Sequence, residues 1–232
     1  MTNEFLGTIW NRSGRHIGRY NAEWMPKWGE AGEDLSLLDI TADFLTKTMP
    51  QAFIDDGLDK IAGLPDGKDF LAWTVRSNTM VTRSQWSSKM KASAFRCISW
   101  MSAAGLSYEH TDLFMGRCSE TRLVELWRHR LGKIPRGWSL LADRGFSTTG
   151  RFYPHFNPQL TPKFLMKRKQ FDEEEVCIDM VLCRLRYHCE VGFSRVTTVS
   201  GLQDVIKYQF FCDVDAMNHW GHAKVNLMKP LI

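Results

Sequence analysis

The sequence has no Cys-x-x-Cys pair, no apolar run longer than a few residues, no Gly/Ser-rich or Pro-rich tract and no internal repeat. Each absence excludes something. Without closely spaced cysteines, Cys97, Cys118, Cys177, Cys183, Cys189 and Cys212 supply no zinc-type ligand set. A chain of 232 residues buries a sizeable core without staples, so these thiols read as reduced and mostly internal. Short apolar runs argue against a membrane span, and Met1-Thr2-Asn3-Glu4 opens no basic-then-apolar leader, so an intracellular location is expected. His219 and His222 are spaced to share a helical face, but with no cysteine pair beside them they read as ordinary polar or packing histidines. What remains is ordinary globular composition, 44% hydrophobic and 24% charged.

The net charge of +4 is unevenly spread. Residues 1–74 hold 7 Lys/Arg and 12 Asp/Glu, residues 75–169 hold 17 and 5, and residues 170–232 hold 6 and 9. A polyanion would feel the middle block and release counterions on binding it, which gives affinity without sequence specificity. A solvated surface is the equally weighted alternative.

Residues 1–58 read as a helical N-terminal extension, with Trp10, Ile17, Tyr20, Trp24 and Trp28 near helical spacing and a second stripe of Leu38, Phe44, Leu45 and Met49. From residue 59 onward the pattern changes. Residues 60–64 form a short strand candidate ending at a Pro65-Asp66-Gly67 turn, and residues 70–75 another. Residues 94–101 and 106–115 make an antiparallel hairpin, Ser119 begins a helix, and residues 138–142 form a short strand that stops at Asp143. A long helix then runs from about 173 to 196, with Asp172 and Glu175 as a capping box. The expected class is α/β, a ribonuclease H-like mixed sheet flanked by helices over residues 59–232.

Three acids stand at informative places. Asp143 ends a strand, where ligands of α/β sheets collect, and Gly145 leaves room for close backbone approach. Glu190 continues a stripe of Val176, Met180, Cys183 and Tyr187, which predicts an inward-facing acid that needs a partner or a cation. Asp66 follows the first strand, with Asp39 as a rival first acid and a plain turn as its bland alternative.

At these residues the chain resembles DDE-type transposases of the Harbinger kind. The resemblance rests on Asp66-Gly67, Ser87-Ser88-Lys89, Gly116-Arg117-Cys118-Ser119-Glu120, Ala142-Asp143-Arg144-Gly145-Phe146 and Arg186 with Glu190, in order from about residue 60 to 225. It implies that Asp66, Asp143 and Glu190 are catalytic and hold two divalent metals, Mg²⁺ with Mn²⁺ as a substitute, for cutting and rejoining DNA strands. It also implies DNA contacts by Lys89, Lys163, Lys167, Arg168 and Lys169, and nuclear location in a eukaryote. Two positions depart from the pattern: Lys68 stands where a Thr-like residue is expected, and Val196-Thr197 replaces basic residues. No separate DNA-binding domain precedes the acids, which leaves room for a DNA-binding partner protein or a second copy. It also leaves an alternative: a truncated or domesticated remnant that binds DNA or protein without cutting.

Overall fold

The structure, a computed structural model, describes residues 14–36, 40–127, 134–146, 161–163, 165–200 and 202–231. Among the described residues three helices come first, α1 (Gly14–Ser36), α2 (Ala42–Lys47) and α3 (Gln51–Asp55), followed by strand β1 (Ile61–Leu71). Helix α4 (Thr79–Gln85) runs directly into β2 (Trp86–Ser87), and β3 (Ala92–Met101), β4 (Ser107–His110) and β5 (Phe114–Met115) complete the antiparallel part. Helix α5 (Glu120–Trp127), β6 (Ser139–Leu140), the long α6 (Glu173–Ser200) and α7 (Val214–Asn226) follow.

β3 is the spine of the six-stranded sheet. One edge pairs antiparallel with β1 from Leu64↔Met101 to Leu71↔Ala94; the other is taken in turn by β2, β5 and β4. β6 joins the free edge of β1 in parallel. The result is a mixed sheet flanked by helices, consistent with a ribonuclease H-like fold. The β3–β4 turn spans residues 102–105, where Gly105 at φ 72° takes the left-handed conformation and donates its N–H to Ser102 O at 2.9 Å.

The stretch expected as two strands around a turn is one strand. Gly63 O accepts the N–H of Leu141, so Gly63 faces β6; Pro65, two residues on, aims its ring nitrogen the same way, past the end of β6. A proline is tolerated there because no ladder bond is asked of it. Asp66 meanwhile pairs with Ser99 of β3. The strand expected over residues 138–142 shortens to Ser139–Leu140 for the same reason, because β6 diverges after touching β1 at two register points.

Fully buried Trp100, Phe53, Phe70, Phe146, Ile98 and Leu141 centre the core. Burying each such side chain is worth about 1.5–3 kcal/mol, which is what pins the helices to the sheet. Helix α1 lies on α7, where Trp28 stacks on Trp220 at 5.9 Å between ring centroids. Trp10, Asp39 and Leu38 lie outside the described residues.

Helix α6 corrects the sequence reading of its faces. Its buried stripe is Leu182, Leu185, Cys189, Phe193 and Val196. Val176, Met180, Cys183, Tyr187 and Glu190, expected inward, all lie exposed. The helix is apolar on more than one side, so spacing alone did not fix which stripe meets the sheet. The capping box forms as expected: Glu175 N–H donates to Asp172 Oδ1 at 2.8 Å, and Asp172 N–H to Glu175 Oε2 at 3.3 Å.

Candidate acid site on β1 and past the end of β6

Gly63 on β1 and Leu140 on β6 are register partners, and an aspartate follows three residues beyond each. Parallel strands carry matched positions in one direction, so Asp66 and Asp143 come to the same side of the sheet, at the carboxyl end of β6. Each carboxylate is steadied by the chain that follows it. Asp66 Oδ1 accepts the N–H of Gly67 at 2.8 Å, and Asp143 Oδ1 that of Arg144 at 2.6 Å.

Helix α6 crosses above them. Cys189 Sγ reaches Leu64 O at 3.3 Å, and this contact sets the turn that carries Arg186. The Arg186 guanidinium spans the two acids, 3.9 Å from Asp66 Oδ2 and 3.5 Å from Asp143 Oδ1. The Asp66 side chain is 21% exposed and that of Asp143 50%, so one acid is largely dry and the other open to solvent. Burial pushes the Asp66 carboxyl above its ordinary value, and Asp143 pushes it the same way, while Arg186, the Gly67 N–H and Lys89 oppose the rise.

A third carboxylate beside this pair was quoted only as part of a motif in the sequence. Glu120, at the start of α5, lies against the two glycines that follow the aspartates: a β-carbon on Gly67 would stand 2.6 Å from Glu120 Oε1, and one on Gly145 3.3 Å from Oε2. Burial raises its carboxyl as well, with Lys89 and Arg96 pulling it down and Asp66 pushing it up. The available signal was a glycine one residue after Asp66 and two after Asp143, a space that some other group had to occupy.

The remaining expected residues are dispersed. Glu190, one turn beyond Arg186, is exposed. Lys89 is exposed and close enough to act electrostatically on both Asp66 and Glu120. Lys163 Nζ and Arg168 are bound to Glu175, at 3.2 Å and 2.8 Å, while Lys167 and Lys169 lie exposed beside them. His219 and His222 are buried between α7 and the β3–β4 hairpin. Among the described residues no three His, Cys, Asp or Glu side chains are gathered as a metal-holding group.

Carboxylate oxygens are hard ligands of the kind Mg²⁺ and Mn²⁺ take. Asp66 and Asp143 fit that use on one observation: they already share a cationic group, the Arg186 guanidinium, at the mouth of a partly desolvated site.

A family model described as DDE superfamily endonuclease matches residues 71–223, a span that contains Asp143, Arg186 and Glu190 and begins just after Asp66. No curated protein and no solved structure matches the chain. Among the described residues no helix is long and apolar enough to cross a membrane. With the family model covering well over half its length, the chain belongs to the DDE superfamily endonucleases.

Proposed function

We propose that the chain cuts, and can rejoin, DNA phosphodiester bonds as a transposase-type endonuclease of the Harbinger kind, with Asp66, Asp143 and Glu190 as ligands of two divalent cations, Mg²⁺ or Mn²⁺. The observation that carries this reading is the pair of Asp66, within β1, and Asp143, just past β6, each three residues beyond a register partner of the two parallel strands and both beside one cationic group. Glu190 is supported by helical periodicity, since it stands four residues after Arg186 and therefore on the same side of α6. Bound there, two divalent ions would activate a water or 3′-hydroxyl and stabilise the leaving oxygen of an in-line displacement. The chain's own part is to hold carboxylates in a partly dry site where their charge demands a cation, and to bring Lys89 beside them for a phosphate. In a eukaryotic cell such an enzyme works in the nucleus, acting as a homo-oligomer or with a separate DNA-binding protein.

One observation favours a second reading. With Arg186 between the aspartates and Glu190 exposed, the arrangement also suits a DNA-binding module that no longer cuts.

Nicking of supercoiled DNA with Mg²⁺, with Mn²⁺ and with chelator, for the parent and for Asp143→Asn, separates the two. Enzyme function predicts parent activity that disappears in chelator and in the variant, with the melting curve of the variant close to that of the parent. A parent that binds DNA yet nicks with neither metal supports the remnant. Nicking that persists in Asp143→Asn removes Asp143 from the site.

A further inference from the structure

The cations singled out for DNA in the sequence are partly committed elsewhere. Lys163 and Arg168 both bind Glu175, whose carboxylate also closes the capping box of α6, so their charge ties a loop to a helix. Two further exposed cations with no ion pair among the described residues, Arg83 and Arg117, lie on another surface. Between α4–β2 on one side and the β5–α5 connection on the other runs a groove of about 540 Å³, lined by Arg83, Trp86, Ser88, Arg96, Arg117 and Ser119.

Its walls are built rather than incidental. Arg117 N–H donates to Ser84 O at 3.0 Å and Gly116 N–H to Ala94 O at 2.9 Å, which locks the 116–117 segment against α4 and β3. A β-carbon at Gly116 would stand 2.7 Å from Gln85 O, so this approach needs glycine. The floor is electrically quiet. Asp69 takes the Arg96 guanidinium on both oxygens, at 2.5 and 2.8 Å, and the Ser87 hydroxyl at 2.5 Å, with the Asp69 side chain 2% exposed. The net positive charge of the groove therefore comes from Arg83 and Arg117, both exposed. Trp86, held in β2 by pairing with Ser93, keeps half its surface open in the same groove. Ser119 and Ser88 of the groove directly precede Glu120 and Lys89, and Arg96 on its floor feels the charge of Glu120, which sets the groove beside the acid site.

Resting on the endonuclease reading, we infer that this groove receives an unpaired segment of DNA flanking the bond to be cut, with phosphates on Arg83 and Arg117 and one base stacked on Trp86. An exposed indole beside two free guanidinium groups matches what single strands offer, an open base face and a flexible chain of phosphates. A base stacked inside a duplex presents no such face. Recognition of this kind tolerates any sequence, because every base has a stacking face.

The test is fluorescence anisotropy of the full chain in chelator, with a labelled 20-nucleotide single strand and the duplex of the same sequence at two salt concentrations. The parent should bind the single strand more tightly than the duplex. Trp86→Leu should weaken single-strand binding roughly tenfold and duplex binding little, and Trp86→Phe should recover most of the loss. Arg83→Gln and Arg117→Gln should each reduce the salt slope for the single strand by about 0.7. Melting curves close to the parent's confirm that each variant is folded; Trp86→Phe, Arg83→Gln and Arg117→Gln carry the test if Trp86→Leu is not. Equal affinity of folded Trp86→Leu and parent for the single strand overturns the inference, as does a parent that prefers duplex. Because no cutting occurs in chelator, that failure is distinct from failure of the endonuclease reading, which the nicking assay judges separately.

Discussion

At the scale of single residues, the balance at the acid site is set by Arg186. Asp66 is raised chiefly by burial, so its charged form is disfavoured and the folded state binds a proton more readily than the unfolded chain. A raised carboxyl contributes stability below about 3.8, the ordinary value, and loses it as pH rises through the folded value. At neutral pH this leaves a cost that Arg186 offsets. Arg186→Gln should therefore lower stability at pH 7 by about 1–2 kcal/mol, since Asp143 is half exposed and water softens the loss. Millimolar Mn²⁺ should restore the melting temperature of the variant more than it raises that of the parent, because the freed carboxylates accept the ion without displacing a guanidinium. Thermal melts with and without Mn²⁺ check this. A variant that Mn²⁺ does not stabilise would show that the two aspartates hold no cation. Asp143 was legible as an acid just past a strand, whereas Asp66, read as following its strand, lies within β1; Glu120 was not legible as their neighbour, because its contact with Gly67 and Gly145 joins three segments far apart in the chain.

At the scale of elements, β1 shows why turn chemistry misled. Pro65-Asp66-Gly67 has the composition of a turn, yet it continues the strand because Pro65 faces an edge that β6 has left and Gly67 gives space to a neighbour's carboxylate. Neither condition is visible in a local window. The helix starts at Ser119 and Asp172 were legible because their caps are local: Ser119 Oγ accepts Arg122 N–H at 3.2 Å, and Asp172 Oδ1 accepts Glu175 N–H at 2.8 Å. The face of α6 was not, since two adjacent apolar stripes competed and only packing against β1 chose between them. Gly67→Ala tests the close approach. With Oε1 of Glu120 at 2.6 Å from the new carbon, the glutamate must move, and the strand should lose about 1–3 kcal/mol. Pairing the change with Glu120→Ala should recover most of that loss in a denaturant titration. Additive losses in the double variant would mean that Glu120 is not the group Gly67 accommodates.

At the scale of the whole molecule, the charge-rich middle of the sequence and the α/β order were readable, but the joint that locks α7 to the sheet was not. Its polar members come from places remote in sequence. His110 Nε2 lies 2.7 Å from His219 Nδ1, His219 Nε2 3.1 Å from Asp112 Oδ1, and His222 Nδ1 2.7 Å from Ser107 Oγ. His110 and His222 stack at 4.0 Å, and Glu109 is buried alongside in β4. Burial, then the charge on His219, pushes the His222 imidazole down to about 3. The folded state thus keeps His222 neutral where the unfolded chain protonates it at about 6.5, so the stability it contributes is complete above about 6.5 and falls as pH drops from there towards about 3. Each such proton difference is worth about 1.4 kcal/mol per pH unit, which for a chain of this size corresponds to a few degrees in melting temperature. The melting temperature should fall steadily from pH 7 to pH 5, and His222→Gln, less stable at pH 7, should show a shallower fall over the same range. Equal slopes for parent and variant would assign the acid sensitivity to other groups and leave His222 as a packing residue only.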